Sequence, residues 1–191
     1  MPLAKVTGPL LSVDASGKIA DTIVFSRWRG KKYVRQWVVP ANPNTAAQQT
    51  QRAYMTTAIN SWVQSIGASA QQAWRDYQAG QELSGANEYV SRHIKAALAA
   101  LTIRYCNTPV ATPGVGQVTI TWNSNTSCTG RVLKGTSHRV YYGQNDEGAP
   151  ATSHSVVVTG LAAGVKYFFF ITSTSPGTEW SECGEVSATP T

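Results

Sequence analysis

Charge is scarce in this 191-residue chain: Asp, Glu, Lys and Arg make up 14% of it, against 42% hydrophobic residues. That balance excludes a disordered or polyelectrolyte protein, because such chains combine low hydrophobicity with high net charge. Cysteine is scarcer still. Cys106, Cys128 and Cys183 are too few for a disulfide framework and show no CxxC spacing. His93, His138 and His154 form no HxxxH or HExxH pattern, so the sequence carries no signature of a zinc site. Gly-x-Ser-x-Gly, phosphate-loop and paired-carboxylate patterns are missing as well, and neither an enzyme nor a cofactor is expected. No apolar run approaches the ~18 residues of a membrane span. The first seventeen residues hold one Lys and an apolar pair but no export-signal core, so neither membrane insertion nor secretion is expected.

What is present is unevenly placed. Up to Tyr105 twelve Lys/Arg face five Asp/Glu, and from Cys106 onward four face five, so the formal charge of +6 belongs to the first half. A basic half fits nucleic acid, an acidic protein surface or plain solubility. Most of its signal lies between Ser16 and Pro43. There two runs rich in Val, Ile, Phe, Trp and Tyr flank Arg29-Gly30-Lys31, the pattern of a β-hairpin. With Gly30-Lys31 as the turn, Trp28 pairs with Tyr33 and Val24 with Trp37 on one face. Ile23 then pairs with Val38, and Phe25 with Gln36, on the other. Both faces carry apolar side chains, and an isolated hairpin is marginal at best, so the ribbon requires covering by helices, by a partner, or by both. Trp28, Arg29, Tyr33, Arg35 and Trp37 are its expected interface anchors, residue types of which Trp, Tyr and Arg dominate hot spots. Arg27, Lys31 and Lys32 among these aromatics also fit base stacking and phosphate neutralisation, though no nucleic-acid-binding motif supports that use.

Residues 1–15 read as an arm, punctuated by Gly8-Pro9. After Pro40-Ala41-Asn42-Pro43 the pattern turns helical. Thr45-Ala-Ala-Gln48 is a capping box, and Met55, Ala58, Ile59, Trp62, Val63 and Ile66 form one apolar stripe. Ser69-Ala-Gln-Gln72 repeats the cap before a short helix with Ala73, Trp74 and Tyr77. A third helix starts after Ser84 and carries Tyr89, Val90, Ile94, Ala97, Leu98 and Leu101, with His93 expected at the surface or core edge. The fold class is therefore an α+β domain over residues 16–105, a hairpin plus three helices. An all-β domain follows over 106–191, where Gly, Ser, Thr and Val dominate and short alternating runs replace helical periodicity.

The second half resembles a fibronectin type III domain over nearly all of residues 109–191. VTITW at 118–122 is similar to its second strand with a core Trp122, and RVYYG at 139–143 to its third. Leu161, Gly164 and Tyr167 fill the positions of its tyrosine corner, in which the Tyr hydroxyl bonds back to nearby backbone. VSATP at 186–190 is similar to the closing strand. The resemblance places Cys128 in the loop after the second strand and Cys183 near the start of the last, making them candidates for a disulfide, with Cys106 unpaired. It also makes Tyr142 and Trp180, beside Tyr141, candidates for glycan contact, with at least one of the two tyrosines structural.

The first half, over about residues 5–95, resembles amino-terminal domains of uncharacterised tailed-bacteriophage virion proteins. The stretch ASGKIADTIVFSRWRGKKYVRQWVVPANPNTAAQQTQR carries the likeness, with AW at 73–74 and SGANEYVSRHI at 84–94. This resemblance implies a structural accessory protein of a virion, assembled in the host cytoplasm and exposed after lysis, docking on capsid or tail and on itself as an oligomer. A host-surface glycan or protein is a further expected partner. The competing expectations are an extracellular glycan- or protein-binding module and a nucleic-acid-binding protein using the hairpin.

Overall fold

The computed structural model describes residues 17–19, 22–28, 31–39, 41, 44–175 and 177–191. The chain divides into two compact units, Met1–Thr45 and Ala46–Thr191. The first holds a three-stranded antiparallel sheet of β1 (Gly17–Ile19), β2 (Ile23–Trp28) and β3 (Lys31–Gln36), in that order. Strand β1 extends the expected hairpin by one strand, and the expected arm at 1–15 lies outside the described residues. The hairpin register also differs from expectation. Trp28 pairs with Lys31, Ser26 with Tyr33 and Val24 with Arg35, which places residues 29–30 between the strands in place of 30–31. Each partner moves by two positions, a whole pleat, so Ile23, Val24, Phe25 and Tyr33 keep their expected faces, while Trp37 and Val38 lie beyond the end of β3.

The second unit opens with helix α1 (Ala46–Asn60) and a π-helical turn at Ser61–Ser65. Helices α2 (Ala68–Tyr77) and α3 (Gly85–Leu98) follow. Helix α3 begins as its sequence dictates: Ser84 Oγ accepts a hydrogen bond from Asn87 N at 3.2 Å, satisfying a first-turn amide. Helix α2 does not. Its cap is Gly67, whose N–H donates to Asn107 Oδ1 at 2.6 Å, and Ser69 lies inside the first turn. The long stripe of α1 is only half used. Ala58 and Ile66 are buried and Trp62 is partly so, while Met55, Ile59 and Val63 are exposed.

Two further sheets complete this unit. The first comprises β5 (Cys106–Gly114), β6 (Gln117–Cys128) and β9 (Ala151–Thr159), in that order. The second runs β12 (Gly184–Ala188), β10 (Tyr167–Ser173), β7 (Gly130–Gly135), β8 (Gly143–Asp146). Short strands β4 (Thr102–Ile103) and β11 (Glu179–Trp180) pair in parallel beside them. The architecture is mixed α and β. Val118, Ile120 and Trp122 of β6 and Val156 and Val158 of β9 meet Val132 of β7 and Phe169 and Ile171 of β10 in one core between the two sheets. Alternation of buried and less buried residues over 117–124 of β6 and 153–159 of β9 is what permits one covered face.

Of the expected strand at 139–143, residues 139–142 are a loop and only Gly143 is in a strand, as the first residue of β8; β7, at 130–135, takes its place in the sheet. Arg139 has φ +61, incompatible with a strand. The same loop is turned onto a buried carboxylate: Glu185 accepts from Arg139 N at 3.0 Å and from the Tyr141 hydroxyl, and His138 Nδ1 lies 2.5 Å from its other oxygen. Tyr141 is thus the structural tyrosine of its pair.

The largest departure concerns the boundary expected after Tyr105. A second core joins the helices to the outer face of β10, combining Ile66, Ala70, Trp74, Tyr77 and Tyr89 with Phe170 and Trp180. Strand β10 is covered on both faces, which explains its unbroken YFFFI run. Helix α2 approaches β12 so closely at Gly184 that a Cβ there would stand 2.7 Å from the backbone of Ala73 and Trp74. Gly184 also has φ +84, which a side chain rarely tolerates. Arg92 fastens the other helix. Its guanidinium donates to Glu88, Glu182 and the Tyr77 hydroxyl at 2.7, 2.9 and 2.7 Å, 5.1 Å from the Tyr77 ring centroid.

His93, expected near the surface, is buried in this second core. Its ring stacks on Tyr105 (6.1 Å, 13°) and meets Trp180 edge-on (5.5 Å, 72°), and neither ring nitrogen has a hydrogen-bond partner. Burial holds its pKa below the ordinary 6.5. The unfolded chain therefore takes up this proton first. Stability is whole above about pH 6.5 and falls as the pH drops from there towards the folded-state pKa.

Two outcomes are expected. Gly184→Ala destabilises the protein by about 2–4 kcal/mol in urea unfolding, through backbone strain and loss of the helix–strand contact. His93→Phe, which removes two unsatisfied buried nitrogens, leaves stability at pH 7 equal or about 1 kcal/mol higher. The same substitution flattens the wild-type loss of stability between pH 6.5 and 5.

Candidate functional site

Among the expected interface residues, Tyr33 and Arg35 lie on one face of β3, and all six residues of that strand are exposed. Tyr33 is 41% exposed and Val34, on the opposite face, 59%. Trp37 is partly buried, and its N–H donates to Thr22 O at 2.6 Å. Trp28 enters through its backbone pairing with Lys31, and Arg29 lies outside the described residues. Strand β3 is an edge of its sheet, and Lys31, Lys32 and Arg35 stand on that edge, as charged residues do where an edge must not pair indiscriminately. The ribbon thus presents apolar side chains on two faces within a cationic frame.

The cysteines pair differently from expectation. Cys106 and Cys183 form the disulfide, with Cα atoms 5.2 Å apart and a sequence separation of 77, and Cys128 is a buried free thiol. Cys106 and Cys183 both point into the core between the sheets, whereas Cys128, at the end of β6, faces His154 and Ser181. The bridge ties the first residue of β5 to the residue before β12, across the two sheets.

The glycan expectation fails at Trp180. It is 7% exposed, because β11 pairs with β4 and carries the indole under the helices, 5.4 Å from Tyr89. Tyr142 is 63% exposed beside a shallow depression lined by Leu133, Tyr141, Gly143 and Gln144.

One cluster has no counterpart in the sequence reading. Glu147 Oε2 lies 2.6 Å from His154 Nδ1, and His154 Nε2 lies 2.9 Å from Ser124 Oγ and 3.6 Å from Cys128 Sγ. The carboxylate is fixed by two backbone amides, Gly130 N–H and Ser155 N–H, each at 3.0 Å. Trp122 stacks on the imidazole at 4.6 Å and 10°. Gly130 is required for this packing: a Cβ there would sit 2.3 Å from the Trp122 ring. Burial opposes charge on His154, but hydrogen bonds to Cys128 and Glu147 outweigh it and its pKa is raised. Burial likewise opposes the Cys128 thiolate, yet bonds from His154 and Ser124 bring that pKa below its ordinary value. A Cys, a His and a Glu at positions 128, 154 and 147 share no sequence motif. Only the pairing of β6 with β9, which sets Trp122 opposite His154, brings them together. Among the described residues no group of His, Cys, Asp and Glu is arranged to hold a metal ion, and no helix is long and apolar enough to cross a membrane.

No family model matches the chain, and no curated protein does. Among solved structures, the FN5 domain of Drosophila Lar aligns at 11% identity and a TM-score of 0.35, covering 45% of this chain and 94% of that one.

Glu147→Gln leaves a buried imidazole without its counter-charge, and stability is expected to drop by about 3–5 kcal/mol near pH 6. A raised histidine pKa contributes stability that is whole below about pH 6.5 and is lost as the pH rises through the folded-state pKa. The deficit measured by denaturant unfolding should therefore shrink between pH 6 and pH 9.

Proposed function

We propose that the protein is a non-enzymatic structural accessory of a phage virion. Its basic ribbon docks on a capsid or tail protein, and the helix-covered body is displayed outward as a fibronectin type III-like sandwich. The observation that carries this reading is the ribbon itself, exposed along all six residues of β3 with apolar Tyr33 and Val34 between Lys31, Lys32 and Arg35. A small sheet with apolar side chains on two faces gains most of its burial from another molecule. The cationic frame favours an acidic neighbour and fixes register.

The virion setting rests on the likeness of residues 5–95 to amino-terminal domains of tailed-phage virion proteins. The sandwich assignment is supported by the tyrosine corner, where the Tyr167 hydroxyl accepts from Ala162 N at 3.1 Å, five residues back. A disulfide between Cys106 and Cys183 suits a particle that meets the oxidising exterior after lysis. A glycan-binding module is the weaker reading. With Trp180 buried, it is left with Tyr142 and the depression beside it.

Mass spectrometry of purified particles should find the chain at a fixed copy number. The double substitution Tyr33→Ser, Val34→Glu should cut its incorporation by about tenfold or more while leaving unfolding of the free protein unchanged, since both residues are exposed. Particles devoid of the chain, or undiminished incorporation of the variant, would sink this reading.

A further inference from the structure

Strand β3 ends its sheet with its backbone open as well as its side chains. Trp37 N–H donates to Thr22 O at 2.6 Å, and in an antiparallel ladder hydrogen-bonded pairs recur at every second residue. Counted back along the register from that bond, Arg35 is bonded to Val24, Tyr33 to Ser26 and Lys31 to Trp28. The amides and carbonyls of Val34 and Gln36 therefore point away from β2. Among the described residues no strand pairs with that side.

Both faces of this edge combine cations with an apolar group. Lys31 and Arg35 flank Tyr33 on one face, Lys32 precedes Val34 on the other, and all six residues of the strand are exposed. An edge furnished in this way repels most strands and admits one that neutralises it. The described residues of the ribbon include Lys18, Arg27, Lys31, Lys32 and Arg35 and no Asp or Glu. A second copy of the edge would set cation against cation, and like charges directly opposite each other destabilise a strand pair. A nucleic-acid backbone answers the cations but not the carbonyls of Val34 and Gln36, because its phosphate oxygens accept hydrogen bonds and do not donate them. A peptide backbone supplies both donors and acceptors.

We propose that β3 takes up an extended, acid-rich segment of a partner protein as a fourth strand of the three-stranded sheet. This rests on the docking reading above and names how the partner is held. Main-chain bonds to Val34 and Gln36 supply the grip, and the side chains opposite β3 supply the choice. Carboxylates stand opposite Lys31, Lys32 and Arg35, and β-branched apolar side chains stand opposite Tyr33 and Val34. For antiparallel addition the incoming segment reads, from its amino end, polar, acidic, apolar, apolar, acidic, acidic.

The full-length, isotope-labelled protein is titrated with three probes, and amide hydrogen exchange is followed residue by residue by NMR. The probes are the peptide GSTEIVEESG, its counterpart GSTKIVKKSG and a short oligothymidylate. At saturation the acidic peptide should slow exchange at Val34 and Gln36 by about tenfold or more, and change Tyr33 and Arg35, already bonded to β2, by less than about twofold. The lysine peptide should protect neither pair. Gln36→Pro keeps every cation and apolar group and deletes one outward N–H, a change an edge strand tolerates on its solvent side. It should weaken the acidic peptide by about fivefold or more. If that variant unfolds the ribbon, the wild-type comparison of probes decides alone. The proposal is overturned by no protection from the acidic peptide at millimolar concentration, by equal protection from the lysine peptide, or by protection from the oligothymidylate alone. Lost particle incorporation of Tyr33→Ser, Val34→Glu without peptide protection leaves docking standing and sinks the added strand. Peptide protection with undiminished incorporation does the reverse.

Discussion

At Gly184 the last strand of the two-sheet body passes helix α2 with no side chain between them, so that even a methyl group would stand 2.7 Å from the backbone of Ala73 and Trp74. This contact sets the depth at which the helical layer sits. With α2 at that height, Trp74 reaches Phe170 edge-on at 6.4 Å and Tyr77 reaches it at 5.1 Å, closing the outer face of β10. A sheet with one face in a core and the other left to water would be expected to alternate apolar and polar residues. Strand β10 instead carries Phe168, Phe169, Phe170 and Ile171 in succession, because both faces have cores to enter. The helices and the sheets are thus one folding unit sharing two cores, and the chain's division falls earlier, at Thr45.

Where polar groups enter that unit, the structure treats them in three ways. Glu185 is enclosed and bonded to His138, Arg139 N and Tyr141, a lock that shapes the 138–142 loop. Glu147 is bonded to two amides and the His154 ring, an arrangement that holds the imidazole in place against Trp122. His93 is enclosed with no partner at all. A buried polar group without a partner costs stability whatever it touches. The third therefore weighs against folding, while the first two are satisfied and fix local structure. The two buried imidazoles respond to acid in opposite senses, His93 resisting its proton and His154 keeping it.

The first unit is built on a different principle. Its three short strands carry cationic and apolar side chains together, and β3 is exposed along its whole length. In the second unit, burial specifies the structure; in the ribbon, exposure specifies what can be bound. The proposed division of labour, attachment through one unit and display through the other, follows from that contrast in where apolar surface has been covered.

Much of the local structure was legible in the residues. Ser84 caps α3 as its position before Gly85 and Asn87 implies, the alternation in VTITW gives β6 with Trp122 inside, and Tyr167 closes its corner on Ala162 N. These features depend on contacts within a few residues or on a two-residue period, which a linear pattern records. The composition shift near Cys106 was equally plain, but it marks a change of secondary structure and not of folding unit. Packing across it depends on Gly184 and Phe170 meeting Trp74 about a hundred residues away. Pairing of the cysteines, burial of Trp180 and His93, and the meeting of Cys128, His154 and Glu147 were likewise decided by tertiary structure alone. Strand register brings together groups that no spacing in the chain announces, and which of three similar thiols points into a core depends on a pleat that only the finished sheet fixes.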